Sequence, residues 1–372
     1  MGYRDRLDGT GPRKLLALDG GGIRGVLSLE VLGAIEKLLR RELDAGADFV
    51  LADYFDYVAG TSTGAIIAAG IAQGMPVAKL QELYTMHGEE MFDRASLIKR
   101  FSYKYGSRRL ERMLKETFGA GVTLGDPDLR TLLMMVLRNA TTDSPWPLSN
   151  NPRAKYNQTN RPDNNLQLPL WQLVRASTAA PTFFPPEAVS IGPHEFVFVD
   201  GGLTMYNNPA FQLFLMATMR TYQLEWPAGE DKLLIVSVGT GTSPKADDRL
   251  RADEMNLLFN AKSVPAALMS AAMHEQDMLC RVFGRCRYGG PIDNEIGDLR
   301  GPSGPLTERL FSYVRYNAEL TRTGLNRLDL RNVRPEAVQR LDSVLHIKDL
   351  QLVGMRLALE VHRSHFDGFL GK

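Results

Sequence analysis

Apolar and polar positions fall into short blocks that predict strands and helices in turn. Lys14–Leu18 is an apolar run ending in Asp-Gly-Gly-Gly, a buried strand that enters a tight turn. Residues 26–43 then carry Val26, Leu27, Val31, Leu32, Ile35, Leu38 and Leu39 at helical spacing. Asp56–Ala59 predicts a second strand, which runs through Gly-Thr-Ser-Thr-Gly into a small-residue helix at Ala65–Gln73. Helices are expected at 77–88 and 107–118, a strand at Leu132–Ala140 and a helix at Trp171–Thr178. Phe196–Val199 predicts a strand before Asp-Gly-Gly, Asn208–Arg220 a helix, and Leu233–Val238 a strand before Gly-Thr-Gly. A helix at 264–283, an edge strand at Phe311–Tyr316 and a helix at 346–366 close the chain. Strands alternating with helices predict an α/β layered sheet. Residues 141–169, with five prolines and six asparagines and no period, read as a long loop, functional or mobile.

The 372 residues suffice for two or three domains or one large α/β domain, and no repeat or linker divides them. Hydrophobic residues make up 44% and charged residues 23%, which excludes a mainly disordered chain or a coiled-coil rod. Forty-four basic residues against 43 acidic ones give no global excess that would mark a nucleic-acid binder. Cys280 and Cys286 are too few for a disulfide scaffold or a cysteine-built zinc site, and no His-Glu-x-x-His or Cys-x-x-Cys occurs, so no metal is expected. The first residues lack an apolar stretch fit for a signal peptide, and no run reaches the roughly 18 apolar residues of a membrane span. The expectation is a cytoplasmic protein that meets a membrane only from its surface.

Three loops share one design, a strand end followed by a glycine-rich turn with one polar residue: Asp19-Gly-Gly-Gly-Ile-Arg-Gly25, Gly60-Thr-Ser62-Thr-Gly64 and Asp200-Gly-Gly202. In α/β sheets ligands bind at the carboxyl ends of strands, so the three can converge. Gly60–Gly64 matches G-x-S-x-G between strand and helix. That turn presents Ser62 as a nucleophile, with Gly60 and Gly64 avoiding Cβ clashes and the following helix aiming its positive end at the site. Successive N–H groups at 19–25, with Arg24, suit an oxyanion or a phosphate; the absence of a Walker-type lysine favours the oxyanion. Asp200 is either a general base or an Asx turn at a strand end. His274, His346, His362 and His365 fall in or near helical patterns and read as structural or surface residues.

Taken in order, DGGGIRG at 19–25, GTSTG at 60–64 and DGG at 200–202 resemble the three motifs of patatin-like phospholipases. Ala176–Pro185 and Val236–Gly241 resemble further stretches of bacterial members, and the likeness covers about 13–320. The resemblance implies a three-layer α/β/α sandwich with a mixed central sheet, a modified α/β-hydrolase. It implies a Ser62–Asp200 catalytic dyad, with Gly20, Gly21, Gly22 and Arg24 as the oxyanion hole and no cofactor. Residues 13–320 would form the catalytic domain and 321–372 a helical extension packed on it. The implied substrate is a membrane phospholipid, and the implied activator in some members is a cyclic nucleotide, with 141–169 as the segment that orders over the site. Two rivals remain at this level: an actin-like-fold ATPase or sugar kinase, suggested by Leu16–Gly22, and a catalytically idle lipid- or nucleotide-binding module.

Basic and aromatic residues interleave from Lys99 to Lys115, including Arg108, Arg109 and Arg112. They read either as a patch for anionic headgroups or a nucleotide, or as a solvated helix face with its aromatics turned inward. Arg281, Arg285 and Arg287 flank Cys286 and read as surface.

Overall fold

A computed structural model describes residues 2–92, 103–181, 184–243, 257–301 and 305–371. Its centre is a nine-stranded mixed sheet in the order β5-β6-β3-β2-β1-β7-β9-β8, with β4 paired to β3. The strands are β1 (Arg13–Leu18), β2 (Tyr57–Thr61), β3 (Leu132–Asn139), β4 (Ser144–Ser149), β5 (Glu187–Ile191), β6 (His194–Asp200), β7 (Leu233–Val238), β8 (Arg285–Tyr288) and β9 (Ser312–Tyr316). The helices are α1 (Gly25–Glu42), α2 (Leu51–Tyr54), α3 (Thr63–Ala72), α4 (Val77–Phe92), α5 (Tyr103–Phe118), α6 (Leu170–Ser177), α7 (Ala210–Thr218), α8 (Leu257–Phe283), α9 (Arg322–Arg327), α10 (Pro335–Gln339) and α11 (Ile347–Ala358). The architecture is the three-layer α/β/α sandwich that the motifs imply.

The central strands are buried on both faces, which is why they read as unbroken apolar runs rather than alternating ones. β1 runs parallel to β2 and β7, β2 parallel to β3, and β9 parallel to β7 and β8. Helix α3, all ten residues buried, packs on β1, β2 and β3. Helix α6 packs on β3, β5 and β6, α7 on β1 and β7, and α8 on β8 and β9.

On β3, residues 132–136 pair in parallel with β2, while 137–139 pair antiparallel with β6. β4 covers 134–139 antiparallel and so occupies the opposite edge. β2 and β6 therefore share one edge of β3 and meet there end to end, Thr61 opposite Val136 and Asp200 opposite Leu137. Both strands end at this junction, and the turns that follow are the motifs around Ser62 and Gly201. The pairing with β6 closes the 138 residues of sequence separation between Ser62 and Asp200 to bonding distance.

The segment 141–169 is not the featureless loop its composition suggests. It begins with β4 and continues through turns tied down by buried asparagines. Asn150 accepts from Leu133 N–H at 2.7 Å and donates to Thr131 O, and Asn157 donates to Ser149 O and Asn151 O. These anchors lie at the start of β3, while residues 141–145 flank its far end, where Ser144 pairs with Asn139. β9 is an interior strand between β7 and β8 rather than an edge. The closing helix stops at Ala358 and lies across α1 at Gly354, where a Cβ would stand 2.7 Å from Leu27 O.

Arg281 is buried, not a surface residue. Asp277 holds it through two hydrogen bonds of 2.9 and 2.7 Å, and it donates to the carbonyls of Gly290 and Asp298. Cys280 and Cys286 are free and buried. In the basic stretch, Lys99, Arg100 and Phe101 lie outside the described residues, as do the side chains of Tyr103, Lys104, Tyr105 and Arg108. Lys115 pairs with Glu111 at 2.6 Å and sits 4.3 Å from the centre of the Trp171 ring. No described helix is long and apolar enough to cross a membrane.

Candidate active site

Ser62 caps α3 with φ 53° and ψ −122°, a conformation that side chains other than glycine rarely adopt. The strain is held in place by its neighbours. A Cβ on Gly60 would collide with Gly64 O, and one on Gly64 would collide with Leu18 O and stand 2.8 Å from Asp19 O. Tyr84 on α4 donates to Thr63 O at 3.1 Å and shares a hydrogen bond with Thr63 Oγ1. Ser177, at the end of α6, accepts the Ser62 N–H at 3.0 Å and donates to Val136 O at 2.7 Å. It thereby satisfies two backbone groups where β2 stops and β6 takes over.

Ser62 Oγ donates to Asp200 Oδ2 at 2.7 Å. The other carboxylate oxygen accepts the Gly202 N–H at 2.7 Å, which fixes the rotamer. Both side chains are buried, Ser62 8% and Asp200 6% exposed. Burial pushes the Asp200 carboxyl up to about 6, against the pull of the Ser62 and Gly202 hydrogen bonds. A carboxylate so raised is a better proton acceptor than a free one.

The Asp19–Gly25 loop lies beside this pair. Gly20 donates its N–H to Asn207 O at 3.1 Å and Arg24 donates its own to Gly21 O at 3.3 Å, so these two expected donors are already engaged. Gly21 and Gly22 N–H have no acceptor among the described residues. Gly22 has φ +59°, and a Cβ there would collide with Leu341 O; a Cβ on Gly21 would collide with Thr240. The Arg24 side chain reaches Gln339 O at 3.4 Å rather than Ser62 or Asp200, and burial lowers its pKa to about 10. Among the described residues no three of His, Cys, Asp and Glu gather to hold a metal.

The supports of the glycine loop escape the sequence reading. Thr240 Oγ1 donates to Gly20 O at 2.8 Å, Leu341 O accepts the Ile23 N–H at 3.0 Å, and Arg315 on β9 binds Asp19. Leu341 acts through its backbone carbonyl, which no residue type announces. Thr240 and Ser177 sit within the stretches that resemble bacterial patatin-like members, and that is their only signal in the sequence. Three histidines hydrogen-bond away from the site: His274 with Ser270 O, His346 with Asp349 and His365 with Tyr316 OH.

A family model described as patatin-like phospholipase matches residues 16–214. An intracellular phospholipase A2 of Caenorhabditis elegans is 32% identical over 278 residues, 71% of this chain and 23% of that protein. Patatin-17 of Solanum cardiophyllum is 32% identical over 261 residues, 64% of this chain and 63% of its own length. The chain thus spans less than two thirds of these curated relatives. Among solved structures, VipD from Legionella pneumophila aligns with a TM-score of 0.38 and 15% identity, over 92% of this chain and 67% of that one, too distant to carry an argument. The family match begins inside β1, takes in the glycine loop, the Ser62 turn and Asp200, and ends in α7, and with it the chain belongs to the patatin-like phospholipase family.

Proposed function

We propose that this protein is a serine acyl hydrolase that cleaves fatty acyl esters of membrane phospholipids through Ser62 and Asp200. The 2.7 Å hydrogen bond from a strained, helix-capping serine to a buried carboxylate carries the reading. Asp200 takes the Ser62 proton as Oγ attacks the ester carbonyl. The developing oxyanion lies on the Gly21 and Gly22 N–H groups, with the N-terminus of α3 adding its positive end. Protonation of the leaving alkoxide by Asp200 frees the lysophospholipid and leaves an acyl group on Ser62, which water then removes.

The substrate class follows from family membership and from the surface beside the site. Leu203 and Met205, just past Asp200, are 42% and 45% exposed, apolar side chains where an acyl chain or a lipid surface would meet the protein. The family assignment displaces the ATPase and sugar-kinase reading. Stimulation by a cyclic nucleotide rests on resemblance alone, and no described residue at the site is assigned to it.

The test pairs a fluorophosphonate probe with fatty acid release from phospholipid vesicles. The probe should label Ser62, and Ser62→Ala should lose turnover by about 10⁴-fold with the fold unchanged. The same assay, with and without a panel of cyclic nucleotides, decides activation. Folded protein that releases no fatty acid under any of these conditions would be the idle lipid- or nucleotide-binding module.

A further inference from the structure

We propose that Asn207 is a third catalytic residue, whose side-chain carbonyl holds the water that releases the acyl group from Ser62; this rests on the serine-hydrolase reading above. Asn207 is 3% exposed, and its Oδ1 is buried with no hydrogen-bond partner among the described residues. Leaving such an oxygen unmatched in an interior is costly, so an oxygen kept there has a use.

Its position points to one. A Cβ on Gly20 would collide with Asn207 Oδ1 and stand 3.3 Å from Ser62 Cβ, so this oxygen adjoins the nucleophile. A Cβ on Gly202 would stand 2.9 Å from Asn207 Oδ1 and 3.0 Å from Asp200 Oδ1, so the amide and the base face the same glycine. The backbone fixes the residue there: Asn207 O accepts the Gly20 N–H, and Thr61 Oγ1 donates to the adjacent Tyr206 O at 2.7 Å.

The orientation of the amide is also set. Asn207 Nδ2 donates to Met273 Sδ of α8 at 2.9 Å. A thioether sulfur accepts but cannot donate, so the NH₂ faces Met273 and the carbonyl faces the site. An acceptor in that place suits water, which has two protons to give. One goes to Asn207 Oδ1 and the other to Asp200, which leaves an oxygen lone pair for the acyl carbon.

In the step itself the water oxygen bonds to the acyl carbon as Asp200 takes one water proton. The bond from that carbon to Ser62 Oγ then breaks, and Asp200 returns the proton to Oγ. The products are the carboxylic acid and free Ser62, with Asn207 unchanged. Acylation uses no water, so Asn207 matters to the second half of the cycle and little to the first. A residue that merely shaped the loop would affect both halves.

The test separates the halves with a p-nitrophenyl acyl ester, by following the burst of p-nitrophenolate and the intact mass of the quenched protein. Asn207→Ala should keep a burst rate within about threefold of wild type, lower the steady-state rate by about tenfold or more, and accumulate an acyl adduct on Ser62. Met273→Leu, which removes the sulfur that orients the amide, should give the same split to a smaller degree, and it decides the matter should Asn207→Ala fail to fold. Burst and steady state falling in parallel, or neither changing, would overturn the proposal. With wild type turning over and Ser62→Ala inactive, that result leaves the hydrolase reading standing. Wild type that neither turns over nor labels at Ser62 removes both.

Discussion

Arg315 binds both carboxylate oxygens of Asp19, with Nη1 at 2.8 Å and Nη2 at 2.6 Å, across the width of β7. The pair is almost fully buried, and Arg315 Nη1 also reaches Ser237 Oγ at 2.7 Å. Burial pushes the Asp19 carboxyl up and Arg315 pulls it back, while Asp19 holds the guanidinium charged. The first residue of the glycine loop is thereby fixed to a strand two positions away in the sheet, and Gly21 and Gly22 inherit that fixity.

Breaking this pair from one side should cost more than removing it. Arg315→Met leaves Asp19 buried without its counter-charge and should destabilise the protein by about 3–5 kcal/mol. Adding Asp19→Asn should recover part of the loss, because no unpaired charge then remains. Denaturant unfolding of wild type, both single variants and the double variant measures the coupling. Additive effects would mean that the pair does not act as a unit.

Glycines of the two loops should fail in different ways. An added Cβ on Gly21 meets one side chain, Thr240, whose Oγ1 can turn aside but whose Cβ, at 2.5 Å, must shift with its own backbone. An added Cβ on Gly64 meets the Leu18 and Asp19 carbonyls, which belong to the sheet and cannot. Gly21→Ala should therefore keep more stability than Gly64→Ala while losing kcat, by up to the roughly 2.7–4 kcal/mol of one displaced oxyanion donor. Gly64→Ala should lose stability and activity together. Thermal melts alongside ester turnover separate the two outcomes.

The parts legible in the sequence were those whose cause is local. β1, β2, β3 and β7 are apolar because both faces are covered, and Gly60 and Gly64 are glycine because backbone crowds them. β4, β5 and β8 were missed for identifiable reasons. β4 carries Pro145 and Pro147, which argue against a strand, yet it bonds only β3 and tolerates the lost donors as an edge does. β8 reads Arg-Cys-Arg-Tyr, four residues whose charges mask the pattern. β5 lies one tight turn from β6, with Gly192 at φ +59° making the reversal. At the site, Ser62 could be named from its turn, whereas Asp200 read equally as an Asx turn until the three motifs were taken together. The spent Gly20 donor, the Ser177 bridge and the Arg315 anchor depend on partners brought in by the tertiary fold, and no periodicity encodes those.

Removing the charge of Asp200 should stabilise the protein as it disables it. Its folded pKa near 6 lies above the 3.8 of a free aspartate, so ionising it costs stability. Wild type should pay nothing for this group below about pH 4 and lose up to roughly 3 kcal/mol as the pH rises through 6. Asp200→Asn keeps an acceptor for the Gly202 N–H and offers an N–H to Ser62 Oγ, without that cost. The difference in unfolding free energy, variant minus wild type, should grow in favour of the variant between pH 4 and pH 7.5. A difference independent of pH would place the carboxyl at an ordinary value.

The proton acceptor should be the carboxylate alone. If Asp200 must be ionised to take the Ser62 proton, kcat/KM falls below about pH 6 with a single limb. That position lies close to the reference value of a histidine, so the midpoint does not by itself tell a dyad from a triad. The response to temperature does. Carboxylates ionise with little heat and imidazoles with much, so the acid limb should stay in place on warming, whereas an imidazole limb would move to lower pH. Substitution gives the second arm. His274, His346 and His365 hydrogen-bond Ser270, Asp349 and Tyr316 respectively, and His365 is held neutral by burial, its pKa lowered to about 4. Changing any of them, or His362, to Gln should leave kcat within about tenfold, because none moves the proton. Asp200→Asn should cost about as much as Ser62→Ala, since members of one catalytic unit are not additive. A folded histidine variant as inactive as Ser62→Ala, with a limb that shifts on warming, would replace the dyad by a Ser-His-Asp triad.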